Sequence, residues 1–413
     1  MEAALPLALD FTAAGTMEVT HGLHAFAAKS PPALARWAVS NYSVPGDVVI
    51  DPMAGSGTTV LEAMLLGRRA LGFDLDPLAQ LIARAKTAIV DPVTLGGRGR
   101  ELAATAAGEF EWRPKGIDVD TWFRPEVQRD LAGLVGGLLA QPADSVRDVL
   151  ASLVSSLIVA RTSVGNVRDI AHSRHHRRDW SEDPKTLNRF EQRLRGAERM
   201  YGELAAKAPA DVFAAEVADG DARELAVRDR TASLYFSSPP YCSALDYTRA
   251  HIFAVAWLTP ILGISTESYR TLGRRYLGSE RAAMIDATTE APLPPPIGVN
   301  SVDKVVSSVA DADPARGWIV YRYFRDMGAV LREARRIVKP GGHVALVVCP
   351  SNVRRVAIPT DRLFIDLATN LGGLKLVVDQ SRVIHDRRRV MPYLATAFGE
   401  RMRTEYVIVW QRP

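Results

Sequence analysis

Ser238-Pro239-Pro240-Tyr241 stands where the apolar run TASLYFSS (231–238) ends. Its residue types suit one task, holding a flat ring that bears an exocyclic amine. Such an amine is a poor nucleophile because its lone pair is delocalised into the ring. Acceptors aimed at its two N–H bonds make the nitrogen more tetrahedral and stabilise positive charge as it forms. The Ser238 hydroxyl and the Pro239 carbonyl are the acceptors available. Prolines 239 and 240 fix φ and leave carbonyls without competing local N–H donors. Tyr241 can stack on a base, an interaction of about 1–3 kcal/mol. Alone, the four residues fit a strand-ending turn with a packed aromatic equally well, so a second motif has to decide.

That motif is DPMAGSGTT (51–59), which follows a short apolar strand, DVVIDP (47–52), and opens the helix TTVLEAMLLG ending at Gly67. Strand, glycine turn and helix in this order are the switch-point arrangement of nucleotide-binding folds. Gly55 and Gly57 let backbone approach a ligand closely. Asp51 is placed to meet an ammonium group, and Asp74, closing a second strand RRALGFD (68–74), can accept from two ribose hydroxyls. Val60 breaks the G-x-G-x-x-G pattern and no Gly-Lys-Ser/Thr follows, so neither a nicotinamide loop nor a P-loop is read here.

The elements that must position these residues alternate. PLAQLIARAKT starts a second helix with Pro77 in its first turn. FAAEVADGD and TASLYFSS are two further strands, and a long helix from Trp318 to Val338 closes at Lys339-Pro340-Gly341-Gly342. HVALVVC, LKLVVDQSRV and TEYVIVWQR bring the strands to seven, the last two an antiparallel pair at one edge. Alternation predicts an α/β fold, a doubly wound, mostly parallel seven-stranded sheet. Residues 1–90, 214–265 and 318–413 form its core. Residues 91–213 are a mostly helical insertion, and 266–317 a variable segment with the Pro-rich stretch EAPLPPPIGV.

In 413 residues, 47% hydrophobic and 24% charged, no apolar run reaches membrane-span length. The start MEAALPLALDF lacks the basic region of a signal peptide. Cys242 and Cys349 have no zinc or CxxC spacing, which suits a reducing cytoplasm. The net charge of +4 fits a polyanionic partner. Arginines gather beside the site motifs, and Arg174, Arg177, Arg178, Arg249, Arg387, Arg388 and Arg389 are the expected phosphate contacts. His172, His175 and His176 lie among arginines that repel a cation, so no metal is expected. Trp122 and Phe123, just before Pro125, are expected to pack the insertion onto the core.

With these residues in view, a resemblance is clear. DPMAGSGTT is similar to the S-adenosyl-L-methionine loop of DNA amino-methyltransferases, Asp-Pro-Phe-x-Gly-Ser-Gly-Thr-Thr, with Met53 in place of Phe. The resemblance implies a class I, Rossmann-like methyltransferase. It puts Asp51, Pro52, Met53, Ala54, Gly55, Gly57 and Thr58 around the cofactor's methionine part and Asp74 with Leu75 at its ribose. GDARELA (220–226) resembles the segment whose acid meets the adenine amino group, which implicates Asp221 and Ala222. THGLHAFAAKSPPALARW (20–37) resembles a His-x-x-His-x-x-x-Ala-Lys block that puts Lys29 and Ser30 at the methionine end.

Ser238-Pro239-Pro240-Tyr241 resembles the corner of cytosine-N4 enzymes, Asp-Pro-Pro-Tyr being commoner among adenine-N6 enzymes, some of which carry Ser. Tyr241 separates Cys242 from proline, unlike the nucleophile of cytosine-C5 enzymes. The resemblance covers residues 20–87, 216–258 and 320–412. It implies double-stranded DNA as partner, a flipped-out base, a nucleoid-associated cytoplasmic enzyme, and a restriction endonuclease, if one exists, on another chain. Residues 91–213 are the expected reader of sequence, with 266–317 as rival. An RNA base as substrate, and a silent cofactor-binding protein, are the competing readings.

Overall fold

The computed structural model describes residues 9, 11, 15, 17–26, 29–106, 112–158, 160, 163, 183–209, 212–242, 247–278, 293–383 and 404–413. Arg174, Arg177, Arg178, Arg387, Arg388 and Arg389 lie outside the described residues, as do the three histidines of 172–176.

Short apolar runs become a sheet. Its strands are β1 (Val48–Asp51), β2 (Arg69–Asp74), β3 (Glu216–Asp219), β4 (Ala232–Ser237) and β5 (Val338–Val348). A separate hairpin, β6 (Ser351–Val353) and β7 (Val356–Ile358), precedes β8 (Lys375–Val383) and β9 (Thr404–Gln411). Every residue of β4 is buried, as expected for a strand covered on both faces. The order is β3-β2-β1-β4-β5-β9-β8. The first five strands run parallel, and β9 is antiparallel to both neighbours. The expected seven-stranded, mostly parallel sheet is therefore present, with the antiparallel pair at its edge. Strand order reverses between β1 and β4, so the carboxyl ends of these central strands flank a crevice.

Local chemistry sets the helix starts. α1 (Pro32–Tyr42) leads into β1, and α2 (Thr58–Leu65) follows it. α3 (Pro77–Thr87) begins at Asp76, whose side chain accepts from the Leu78 N–H, with proline in the first turn. The long helix before β5 starts at Pro314 rather than Trp318, because Asp313 caps the Arg316 N–H. Extended backbone then begins at Val338. The expected closing turn at 339–342 is absorbed into the strand through a register shift opposite Ala232–Leu234.

The inserted segments are helical. In chain order they form α4 (Pro92–Ala106), α5 (Val119–Trp122), α6 (Pro125–Ala140), α7 (Ser145–Ile158) and α8 (Thr186–Lys207). After β4 come α9 (Tyr247–Leu262), α10 (Thr266–Leu272), α11 (Asn300–Ala312) and α12 (Pro314–Ile337), then α13 (Thr360–Asn370). α7 packs on α3 and α9, and α6 on α9. Trp122 and Phe123 meet Phe253 with ring centroids 5.3 and 5.7 Å apart. Phe123 also meets Trp257 at 5.6 Å, the packing expected of these aromatics. α9 is apolar because it is a core helix; among the described residues no single helix is long and apolar enough to cross a membrane.

Candidate active site

The glycine turn after β1 builds the floor of a cavity. Gly55 and Gly57 take φ of +49° and +75°, a left-handed backbone that other residues rarely adopt. A Cβ at Gly57 would stand 2.9 Å from the Ala83 Cβ, so only glycine lets the turn settle on α3. The Gly55 N–H donates to Asp74 Oδ2 at 2.8 Å, and the Asp76 N–H to Asp74 Oδ1 at 2.9 Å. Asp74 therefore ties the loop to the end of β2. Asp51 accepts from the Ser237 hydroxyl at 2.8 Å, which joins β1 to β4 beneath the crevice.

The cavity runs across the carboxyl ends of β2, β1 and β4, with about 920 Å³ of space partly open to solvent. Of the residues singled out by sequence, Lys29, Ser30, Asp51, Pro52, Met53, Ala54, Gly55, Thr58, Asp74, Leu75, Asp221, Ala222, Ser238 and Pro240 line it. Gly57 shapes the floor from behind. Pro239 is buried, and the Pro240 carbonyl accepts from the Tyr323 hydroxyl at 2.9 Å. Tyr241 stands beyond the cavity wall, its hydroxyl donating to Glu405 Oε1 on β9 at 3.0 Å. Arg249 is exposed on α9. Cys242 and Cys349 are buried, unbridged thiols, and among the described residues no His/Cys/Asp/Glu group could hold a metal ion.

Charge defines what the cavity accepts. Burial pushes the Asp51 carboxyl up to about 6, and burial with the neighbouring Asp76 pushes Asp74 up to about 7. Burial would also raise Asp76, but His251 at 2.7 Å and the Leu78 N–H outweigh it and hold Asp76 below the usual carboxylate range. A cavity with these acids favours a ligand carrying positive charge and hydroxyl donors. Asp221 is different. Arg223 grips both its oxygens at 2.8 and 2.7 Å, and Arg275 lies 3.4 Å away. Burial raises that carboxyl while Arg223 lowers it further, so a ligand amine there must share the carboxylate.

Several wall residues escape sequence reasoning. Phe26 stacks on Tyr247 with ring centroids 6.1 Å apart and meets His251 at a tilt, 5.1 Å away, and its ring edge covers Gly55. Ser56, Thr59, Asp76, Ala79 and Gly220 belong to the same cavity, with Tyr247, Tyr276 and Leu277. Asp76, the acid capping α3 two residues after Asp74, could have been found from its Pro77 neighbour. Tyr276 and Leu277 could not, since nothing in their spacing ties the segment after α10 to β2.

The fold is the α/β, mostly parallel seven-stranded arrangement of class I methyltransferases. Residues 12–84 match the DNA methylase family model for N6 and N4 enzymes. The chain is 21% identical over 386 residues to the type II methyltransferase M.MvaI of Kocuria varians, covering 87% of this chain and 83% of that protein. It is 21% identical over 420 residues to the type II methyltransferase M.BsoBI of Geobacillus stearothermophilus, covering 89% and 80%. A solved structure, TrmN from Thermus thermophilus, aligns with 12% identity over 93% of this chain and 49% of that one, at a TM-score of 0.33.

Residues 12–84 thus resemble a DNA methylase and most of the chain is similar to type II methyltransferases, a likeness that implies S-adenosyl-L-methionine as cofactor. The site fits that cofactor. The Thr58 Oγ1 is buried without a partner beside the cavity, the glycine cradle admits close backbone approach, and three acids face a cationic, hydroxyl-bearing ligand.

Proposed function

We propose that the chain methylates the exocyclic N4 of a flipped-out cytosine in a specific duplex DNA sequence. S-Adenosyl-L-methionine supplies an activated methyl group on a sulfonium. In this reading Lys29, Ser30, Asp51 and Thr58 hold the methionine end and Asp74 the ribose, while Asp221 meets the adenine through whatever valence Arg223 leaves it. The observation that carries the reading is the position of Ser238. It closes the cofactor cavity at the end of β4, with a hydroxyl where a carboxylate would otherwise stand.

The chain's own groups then do three things. The Ser238 hydroxyl and the Pro239 carbonyl accept from the amine and draw its lone pair outward. The proline pair keeps these acceptors fixed, so no reorganisation is needed as charge forms. Tyr241, on the β5 and β9 side of the corner, stacks on the extruded base, and phosphate contacts by Arg249 and the arginines at 174–178 and 387–389 offset extrusion. Residues 91–213 read the sequence in this reading. The start of 266–317 contributes Tyr276 and Leu277 to the cofactor cavity, a duty that argues against it as the reader. A cognate endonuclease would be a separate chain, and a nucleoid-associated cytoplasmic site fits a DNA substrate.

Nucleoside mass spectrometry of DNA from a methylation-free host expressing the chain tests this. N4-Methylcytosine is the expected product; N6-methyladenine in its place would overturn the choice of base. Ser238→Ala is expected to lower kcat about 100-fold, the scale of losing one preorganised transition-state hydrogen bond, while cofactor affinity stays within a few-fold.

A further inference from the structure

The cofactor cavity ends at Ser238 and Pro240. The next residue, Tyr241, leaves that wall and is held from the opposite side. Its hydroxyl donates to Glu405 Oε1 at 3.0 Å, and the other oxygen, Glu405 Oε2, accepts from Arg382 Nε at 2.9 Å. Arg382 and Glu405 face each other directly in the β8–β9 register, with side-chain exposures of 6% and 15%. β9 is fixed in turn. The Cys349 thiol donates to the Thr404 carbonyl at 3.2 Å, and Tyr406 and Val407 pair with Val348 and Val347 of β5.

An ion pair this enclosed is a poor stabiliser, because desolvating two charges offsets much of their attraction. A tyrosine hydroxyl needs only a carbonyl or water as partner. What the pair does supply is geometry. A tyrosine side chain turns about two bonds, and fixing its far end fixes both. The residue before it is also restrained, through the Pro240 carbonyl and Tyr323. Backbone and ring tip are thus clamped by separate elements, α12 on one side and β9 on the other.

We propose that Glu405, braced by Arg382, is a positioning residue that sets the ring plane of Tyr241 for the target base. Neither residue touches cofactor or base in this proposal, which rests on the reading of Tyr241 as the stacking ring. Glu405 acts on the step that places the amine, not on cofactor binding. The motif at 238–241 is therefore completed by a strand that lies more than 160 residues further along the chain.

The test is a double-mutant cycle on the full chain with unmethylated genomic DNA as substrate. Glu405→Ala and Tyr241→Phe should each lower kcat about 10- to 100-fold, the scale of a ring displaced by an ångström or so. The KM for S-adenosyl-L-methionine and the Kd for S-adenosylhomocysteine should stay near wild type. The double variant should be no slower than the worse single one, since both remove one contact. Glu405→Gln, which keeps an acceptor, should recover most of the rate. Wild-type kcat in Glu405→Ala, or single effects that multiply in the double variant, overturns the proposal. Should Glu405→Ala fail to fold, Tyr241→Phe leaves the ion pair intact and carries the test: wild-type kcat there overturns it equally. Failure of the parent reading is separate, because it shows as wild-type protein that makes no N4-methylcytosine.

Discussion

In the proposed reading Asp74 has two duties whose demands conflict. Its oxygens accept from the Gly55 and Asp76 N–H groups, yet burial and Asp76 push its carboxyl up to about 7. Asp51 is likewise pushed up by burial, to about 6. The fold therefore holds protons on these acids that the unfolded chain, with an ordinary value of 3.8, has already released. Their contribution to stability is full below about pH 4 and is lost as pH rises through 6 to 7. A cationic ligand with hydroxyl donors favours the ionised forms, so its affinity should climb over the same interval. In thermal melts of the cofactor-free protein, Tm should fall between pH 5 and 7.5, and Asp74→Asn should flatten that fall. Calorimetric titration with S-adenosylhomocysteine should show Asp74→Asn binding about 10- to 100-fold more weakly at pH 8, the worth of lost charge-assisted hydrogen bonds. A pH-independent Kd in the wild type would count against the assignment of Asp74.

At the scale of elements, the block before α1 is pinned to α2 by one buried acid. Glu62, 1% exposed, accepts from His21 at 2.8 Å and from Arg36 at 2.8 and 3.1 Å. The His21 carbonyl in turn accepts from Lys29 at 2.9 Å, so the network reaches the cavity. Glu62→Ala leaves a buried imidazole and a half-exposed guanidinium without their acceptor, and should cost about 2–3 kcal/mol. Urea unfolding should show this as a lower midpoint at unchanged slope, together with weaker cofactor binding. An unaltered midpoint would remove the network from the account. Elements of this kind were only partly legible in the sequence. The parallel strands were, since β1 and β4 are short apolar runs between turn residues, and so was the glycine loop, because its φ demands leave no other residue type. Glu62 reads as an ordinary helix acid, because a hydrogen bond across 41 residues to His21 has no local signature. The same holds for Glu405, whose strand pairing appears as alternation but whose partner Tyr241 does not. The hairpin β6–β7 went unseen because three-residue strands carry too little periodicity.

At the scale of the whole molecule, the insertion is not an appendage. Its helices contribute Leu131, Val135, Leu150, Val154, Phe190 and Leu194 to the same buried cluster that holds Leu61, Leu81, Phe253 and Trp257 of the sheet-flanking helices. Tyr201 of α8 donates to the Ala85 carbonyl at the end of α3, and His24 reaches Ser155 of α7 at 3.0 Å. Removing residues 91–213 would expose the side of α3 that packs on α7 and the side of α9 that packs on α6 and α7, helices next to Asp74 and the cavity. Each fully buried large apolar side chain exposed this way costs about 1.5–3 kcal/mol, and only a few such losses equal the roughly 5–15 kcal/mol that stabilises a folded domain. A chain joining residues 1–90 to 214–413 should therefore be insoluble, or melt without a cooperative transition, and should bind no S-adenosylhomocysteine. If the insertion were instead a separable reader of sequence, such a chain would keep a folded core and lose its choice of site. A cooperative melt with retained cofactor binding would favour that separable arrangement. The readers of DNA sequence should accordingly be sought among exposed side chains of the insertion, by substitutions that change which genomic positions are methylated while kcat on the altered sites is preserved.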